Sequence, residues 1–270
     1  MKKNVKNIVS LRFYECGMEE FDFGECFINS KGKKEKLPVN VVLLEHRRFG
    51  NMLINTGCAD TIKKNLANYA AYRIKHKLEF DSESSIIYRL EKEDTDPLMI
   101  KKVLLTHCSP ECCGALPLLP RYELISSAQV MCMIKLGKKE DGVFRSTMPS
   151  SDIPVRAAGI FSGETVLKKY FKWVYDILGD GSVLGVDLRG HVGEMMGFYI
   201  PEMKLFYAAD AAVDERVIEN DLVPSESMLD RQVYPDEYLA NLILLKKISR
   251  EEKDIKLVFL HSRSVYENGE

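Results

Sequence analysis

The alternation of apolar and polar positions breaks the chain into short segments. Residues 39–47, VNVVLLEHR, are densely apolar and β-branched and predict a strand. Residues 51–57, NMLINTG, predict a second strand ending at a glycine turn, and the intervening RFG predicts a hairpin. Residues 60–78, DTIKKNLANYAAYRIKHKL, carry apolar residues at helical spacing, with Asp60 as the candidate cap. KKVLLTH, residues 101–107, predicts a short buried strand. After it, GALPLLP (114–120) predicts the start of a helix, YELISS (122–127) a strand, and SAQVMCMIKLG (127–137) a helix ended by Gly137.

The second half has a similar pattern. YFKWVYDIL (170–178) alternates like a strand, GDG makes a turn, and SVLGVDLRGH (182–191) predicts a strand leading to His191. GFYIPEMKLFYAADAA (197–212) predicts two strands joined at Pro201 and Glu202. Residues 235–248 predict an amphipathic helix, and KLVFLHS (256–262) a last buried strand. Strands precede helices in each half, which predicts a sheet-on-sheet core with helices outside, in one domain spanning residues 1–270.

Composition narrows the setting. The chain has 270 residues, enough for a core without disulfide support. A net charge of -2 gives no electrostatic case for nucleic acid or an anionic membrane. No window reaches the ~18 apolar residues of a membrane span. The basic N-terminus lacks the apolar run and cleavage site of a signal peptide, so the expected location is the cytoplasm. The cysteine count, seven, is odd and the spacing irregular, which argues for reduced thiols. Isolated cysteines such as Cys58 and Cys132 read as small buried hydrophobes.

Candidate chemistry lies in the histidines. Three of the five follow predicted strands directly: His107 after KKVLLT, His191 after VDLRG, and His261 after KLVFL. The strand KLFYAA ends at Asp210. A lone histidine at a strand end is more often a hydrogen-bonded residue than a ligand. Buried strands that all end in potential ligands can nevertheless gather them at one rim of a sandwich. Imidazole and carboxylate suit zinc, iron or manganese.

The order NMLINTG, THCSPECCG, RGHVG, AADAA, LVFLHS resembles the metallo-β-lactamase superfamily, most of all its lactonase and glyoxalase II type hydrolases. There the corresponding motifs are Asp-Thr-Gly, T-H-x-H-x-D-H-x-G, P-G-H-T-x-G, G-D-A and a final strand ending in His. The resemblance covers residues 39–262. It implies an α/β fold, an αββα sandwich of two mixed sheets with helices on the outer faces and the site at one sheet edge. It implies His107 and His191 as ligands of one metal, and Glu111, Cys112 and His261 as ligands of another. Asp210 bridges the two.

Departures from the motif are specific. Ser109 replaces a ligand histidine, Glu111 and Cys112 replace Asp and His, and Asn55 stands for the Asp of Asp-Thr-Gly. Val213 occupies the position of a tyrosine found in many lactonases. Thiolate at Cys112 favours zinc or ferrous iron, in one or two ions. Cys108 and Cys113, which flank the motif, read as packing residues. The implied function is hydrolysis of a small ester, lactone or thioester through a metal-bound hydroxide, with Asp210 and Glu111 as the catalytic carboxylates. The alternative is a catalytically degenerate member with a binding or regulatory role. The expected partner is a small-molecule substrate, with neither nucleic acid nor membrane, and a homodimer is left open.

Overall fold

The computed structural model describes residues 6–64, 66–137 and 142–267. Its first sheet holds seven strands: β1 (Ile8–Asp22), β2 (Lys34–His46), β3 (Gly50–Ile54), β4 (Leu78–Glu79), β5 (Ile100–Leu104), β6 (Glu123–Ser126) and β7 (Val155–Ala157). Their spatial order is β4-β1-β2-β3-β5-β6-β7. The second holds β8 (Gly159–Ile160), β9 (Tyr175–Asp176), β10 (Leu184–Asp187), β11 (Met196–Ile200), β12 (Leu205–Tyr207) and β13 (Lys256–Val258), in sequence order across the sheet. Both are mixed. β3, β5, β6 and β7 run parallel, as do β12 and β13, and the remaining pairs are antiparallel.

The helices are α1 (Phe23–Cys26), α2 (Leu66–His76), α3 (Ile86–Lys92), α4 (Pro110–Cys113), α5 (Ala128–Leu136), α6 (Glu215–Glu219), α7 (Glu226–Leu229), α8 (Pro235–Glu251) and α9 (Ser264–Glu267). Helix α8 starts with proline at its first turn and buries Tyr238, Leu242, Leu245 and Ile248, one stripe at helical spacing. Helix α5 is capped by Ser127, whose hydroxyl accepts from the Val130 amide at 3.1 Å. No helix among the described residues is long and apolar enough to cross a membrane.

Several expected elements differ. The longest strand, β1, lies in the N-terminal segment that the apolar pattern left unassigned. The expected helix at 60–78 divides into a 3-10 segment, Asp60–Lys64, and α2. The expected helix at 114–120 is only a 3-10 turn at Leu116–Leu118, because two prolines in GALPLLP remove backbone donors, and the helical turn falls instead on α4. Of the strand expected at 170–178, only β9 pairs; Val166–Lys169 before it is a 3-10 turn. Cys132 is exposed on α5 rather than buried, whereas Cys58 is buried as expected.

Strand β1 contains a bulge. Glu15 pairs with Asn40 and Met18 with Pro38, so Cys16 and Gly17 together oppose one residue. Gly17 has φ +128, a conformation that glycine adopts at low cost. The extra residue reverses the alternation. Tyr14 and Cys16 are buried before it, and Glu19 and Phe21 after it. Strict period-two alternation from Cys16 would have turned Glu19 outward.

Candidate metal centre

The parallel strands of both sheets end near one another, and the motif residues lie just beyond those ends. His107 is three residues after β5, Asp210 three after β12, and His261 three after β13. Backbone bonds hold the loops in place. The Met196 amide donates to Thr106 O at 2.9 Å, joining the two sheets. The Thr56 amide and hydroxyl both donate to Cys112 O. Asn40, buried in β2, donates to Ser262 O at 2.8 Å, while its amide reaches Leu260 O. This strap presents His261 to the site.

His107, His191 and His261 each have one ring nitrogen held by a neighbour. Asn55 Oδ1 accepts from both the amide and the hydroxyl of Thr106, at 3.0 and 2.9 Å. The Thr106 oxygen therefore offers a lone pair to His107 Nδ1, 2.9 Å away, which must carry the proton. His107 Nε2 is left with its lone pair, which accepts from Ser109 Oγ at 2.8 Å. His261 Nδ1 donates to Pro38 O at 2.9 Å, leaving Nε2 facing inward. His191 Nδ1 donates to Gln232 Oε1 at 3.0 Å, and Gln232 is fixed in turn by donating to Met228 O. Such outer partners orient metal-binding imidazoles.

Asp210 lies between two of these rings. Its Oδ1 is 3.4 Å from His261 Nε2 and its Oδ2 3.5 Å from His107 Nε2. Oδ2 is buried and has no hydrogen-bond partner. Ala209, immediately before it, has φ +50, a strained conformation for a residue with a Cβ. Burial opposes ionisation of Asp210, but the hydrogen bond from His261 and the nearby imidazoles outweigh it and hold its carboxyl well below the usual range. Burial likewise opposes protonation of His261, yet Asp210 and Glu19 push it up to about 9. Burial lowers His107. Burial, with the charges of Glu111 and Asp210, raises the Cys112 thiol, so it is neutral unless a cation lies beside it.

One group of donors among the described residues meets metal-ligand spacing: His107, Cys112 and Asp210, all buried, with ligand atoms within 4.8 Å of one another. Two ligands roughly 2.1 Å from a tetrahedral ion stand roughly 3.4 Å apart, and sulfur adds a few tenths. The 3.5 Å His107–Asp210 and 3.8 Å Cys112–His107 separations have that spacing. These residues, and the orphaned Asp210 oxygen, fit a metal. The thiol stands in that group with His107 and Asp210, and the charge of Glu111 also acts on it.

Glu111 is buried and accepts a 2.5 Å hydrogen bond from Tyr72. It shares a cavity of about 20 Å³ with His191, Asp210 and His261, walled on its apolar side by Phe21, Val213 and Met228. Cys113 and Cys108 are packing residues with weak contacts to backbone oxygens. Glu19, His76 and Arg231, which the motif does not announce, also line the cavity. Arg231 Nη2 donates to Glu19 at 2.9 Å, and His76 stands 3.5 Å from the same oxygen. Burial opposes ionisation of Glu19, but the hydrogen bond from His76, together with His261 and Arg231, outweighs it and lowers its carboxyl.

The paired mixed sheets, with ligand-type residues at one edge, are the metallo-β-lactamase fold. No family model matches the chain, and no curated protein matches its sequence. Solved structures do. An N-acyl homoserine lactone hydrolase, with N-hexanoyl-L-homoserine bound at its catalytic metal centre, superposes at TM-score 0.70 with 16% identity, covering 98% of this chain and 97% of its own. A probable metal-dependent hydrolase from Staphylococcus aureus superposes at TM-score 0.65 with 12% identity, covering 96% and 91%. AidC, a dizinc quorum-quenching lactonase, superposes at 0.59 with 11% identity, covering 95% and 86%.

Proposed function

We propose that the protein is a metal-dependent hydrolase of a small ester, lactone or thioester. The observation that carries the reading is Asp210, a buried carboxylate that divides its two oxygens between His107 and His261 at ligand spacing. The similarity to lactone-hydrolysing structures supports the substrate class. Zinc or iron, held by His107, Cys112 and Asp210 with His191 and His261 at hand, would activate water and polarise a carbonyl.

The chain's own residues do the remainder. Gln232 and Pro38 fix the outer nitrogens of His191 and His261, so the inner nitrogens need no reorganisation. Phe21, Val213 and Met228 limit water around the acyl group. Glu111 stands at the cavity as a carboxylate able to accept a proton, with its Oε2 tethered by Tyr72. No phenol is present at position 213, so activated leaving groups are favoured over amides.

The test combines elemental analysis of purified protein with a panel of esters, lactones and thioesters, with and without a chelator. Turnover abolished by chelation is expected. A second reading, a fold kept for binding, draws on Ser109, whose hydroxyl already engages His107 Nε2. Metal-loaded protein that is inert across the panel supports that reading instead.

A further inference from the structure

Asp210 uses its two oxygens differently. Oδ1 takes the contact from His261, whereas Oδ2 is buried without a hydrogen-bond partner and lies 3.5 Å from His107 Nε2. The oxygen left for a cation is therefore the one beside His107. Among the described residues, only His107, Cys112 and Asp210 bring three ligand atoms together at metal spacing.

The groups on the His261 side are engaged with one another instead. His261 Nε2 is ion-paired with Asp210 Oδ1 at 3.4 Å and with Glu19 Oε2 at 3.6 Å. Glu19 Oε1 accepts from Arg231 at 2.9 Å, and His76 Nδ1 stands 3.5 Å from the same oxygen. Glu111 Oε2 accepts from Tyr72 at 2.5 Å.

Charge favours the same division. A Cys112 thiolate and the Asp210 carboxylate together balance one divalent ion. On the other side, Arg231 keeps its charge at any working pH and lies over the Phe21 ring, 5.2 Å from its centroid. It lines the cavity of about 20 Å³ that His261 also lines. A second divalent ion would enter there beside a fixed cation, where repulsion is poorly screened.

We infer that the centre is built for one ion, held by His107 Nε2, Cys112 Sγ and Asp210 Oδ2, and that His261 is not a ligand: with Glu19 and Arg231 it forms an ion-paired wall where the family resemblance places a second ion. The inference rests on the metal reading above and sets its stoichiometry. Three protein ligands leave one position open, the arrangement of catalytic rather than structural zinc.

Zinc content, measured by elemental analysis after loading and desalting, is a readout independent of turnover. Cys132, the exposed thiol, is substituted as Cys132→Ser in every sample so that it takes up no zinc of its own. The protein should hold one equivalent, kept in His261→Gln and lost in Cys112→Ala. Two equivalents overturn the inference and leave the metal reading standing. One equivalent that a folded His261→Gln loses, or that a folded Cys112→Ala keeps, also overturns it. Protein that binds none ends both readings. Should a variant fail to fold, cobalt titration of the protein with its centre intact decides. A thiolate-to-cobalt charge-transfer band should appear and saturate with one equivalent bound. A second bound equivalent, or cobalt bound without that band, overturns the inference.

Discussion

Thr106→Val tests how His107 is held. The substitution is nearly isosteric and removes one oxygen, the atom that receives the His107 Nδ1 proton at 2.9 Å. Asn55 Oδ1 keeps its other donor, the residue 106 amide at 3.0 Å, so that side loses little. The Nδ1–H is left buried with only the Cys112 sulfur, 3.9 Å away, as a weak acceptor. Stranding such a donor costs about 1–3 kcal/mol, and the added methyl returns up to ~0.8 kcal/mol through burial. The expected net loss is about 1–2 kcal/mol in the metal-free protein. Urea unfolding of wild type and variant, both in chelator, measures it. The freed ring can also rotate, and losing an outer partner typically weakens metal binding ~10–100-fold, read by competition with a chromophoric chelator. If the variant matches wild type within ~0.5 kcal/mol and binds metal as tightly, the Asn55–Thr106–His107 chain does not orient the imidazole.

Other substitutions probe the remaining parts. Cys112→Ser should lower bound metal more than Ser109→Ala, because the thiol is in the donor group whereas the Ser109 hydroxyl competes for His107 Nε2; elemental analysis compares them. Asp210→Ala should abolish both chelator-sensitive hydrolysis and metal retention, and full activity in that variant refutes the proposed centre. Away from the site, burial raises Glu123 but bonds from Lys102 and Arg156 outweigh it and lower its carboxyl. A depressed carboxylate contributes stability above its unfolded pKa of about 4.3, lost as pH falls through the lower folded value. Glu123→Gln should therefore flatten the acid limb of stability against pH, measured by urea unfolding from pH 6 to 3.

Legibility followed local physics. The pairing of β2 with β3, the parallel strands β5 and β13, and the convergence of His107, Asp210 and His261 could be read because each strand is a compact apolar run ending at a polar residue. Glu19 could not be read. Gly17 interrupts the alternation, and a glutamate followed by another in GMEEFDF looks solvated until the bulge shows which one turns inward. Tyr72 and His76, stacked at 4.1 Å, belong to an apparently ordinary amphipathic helix, and only tertiary placement brings them to Glu111 and Glu19. The grouping of Cys112 with His107 depends on the single turn of α4, which motif spacing alone does not orient.

Every strand of the first sheet lies within residues 8–157, and every strand of the second within 159–258. Glu19, His107 and Cys112 thus belong to the part of the chain made first, whereas His191, Asp210 and His261 belong to the part made last. A nascent chain that has completed only the first sheet holds thiol, imidazole and carboxylate but lacks Asp210. The proposed centre would then not be complete until the two halves have docked. On the proposed reading, metal would act as a late lock on an assembled fold, and supplying it during synthesis should alter the final yield of loaded protein without speeding the formation of the first sheet.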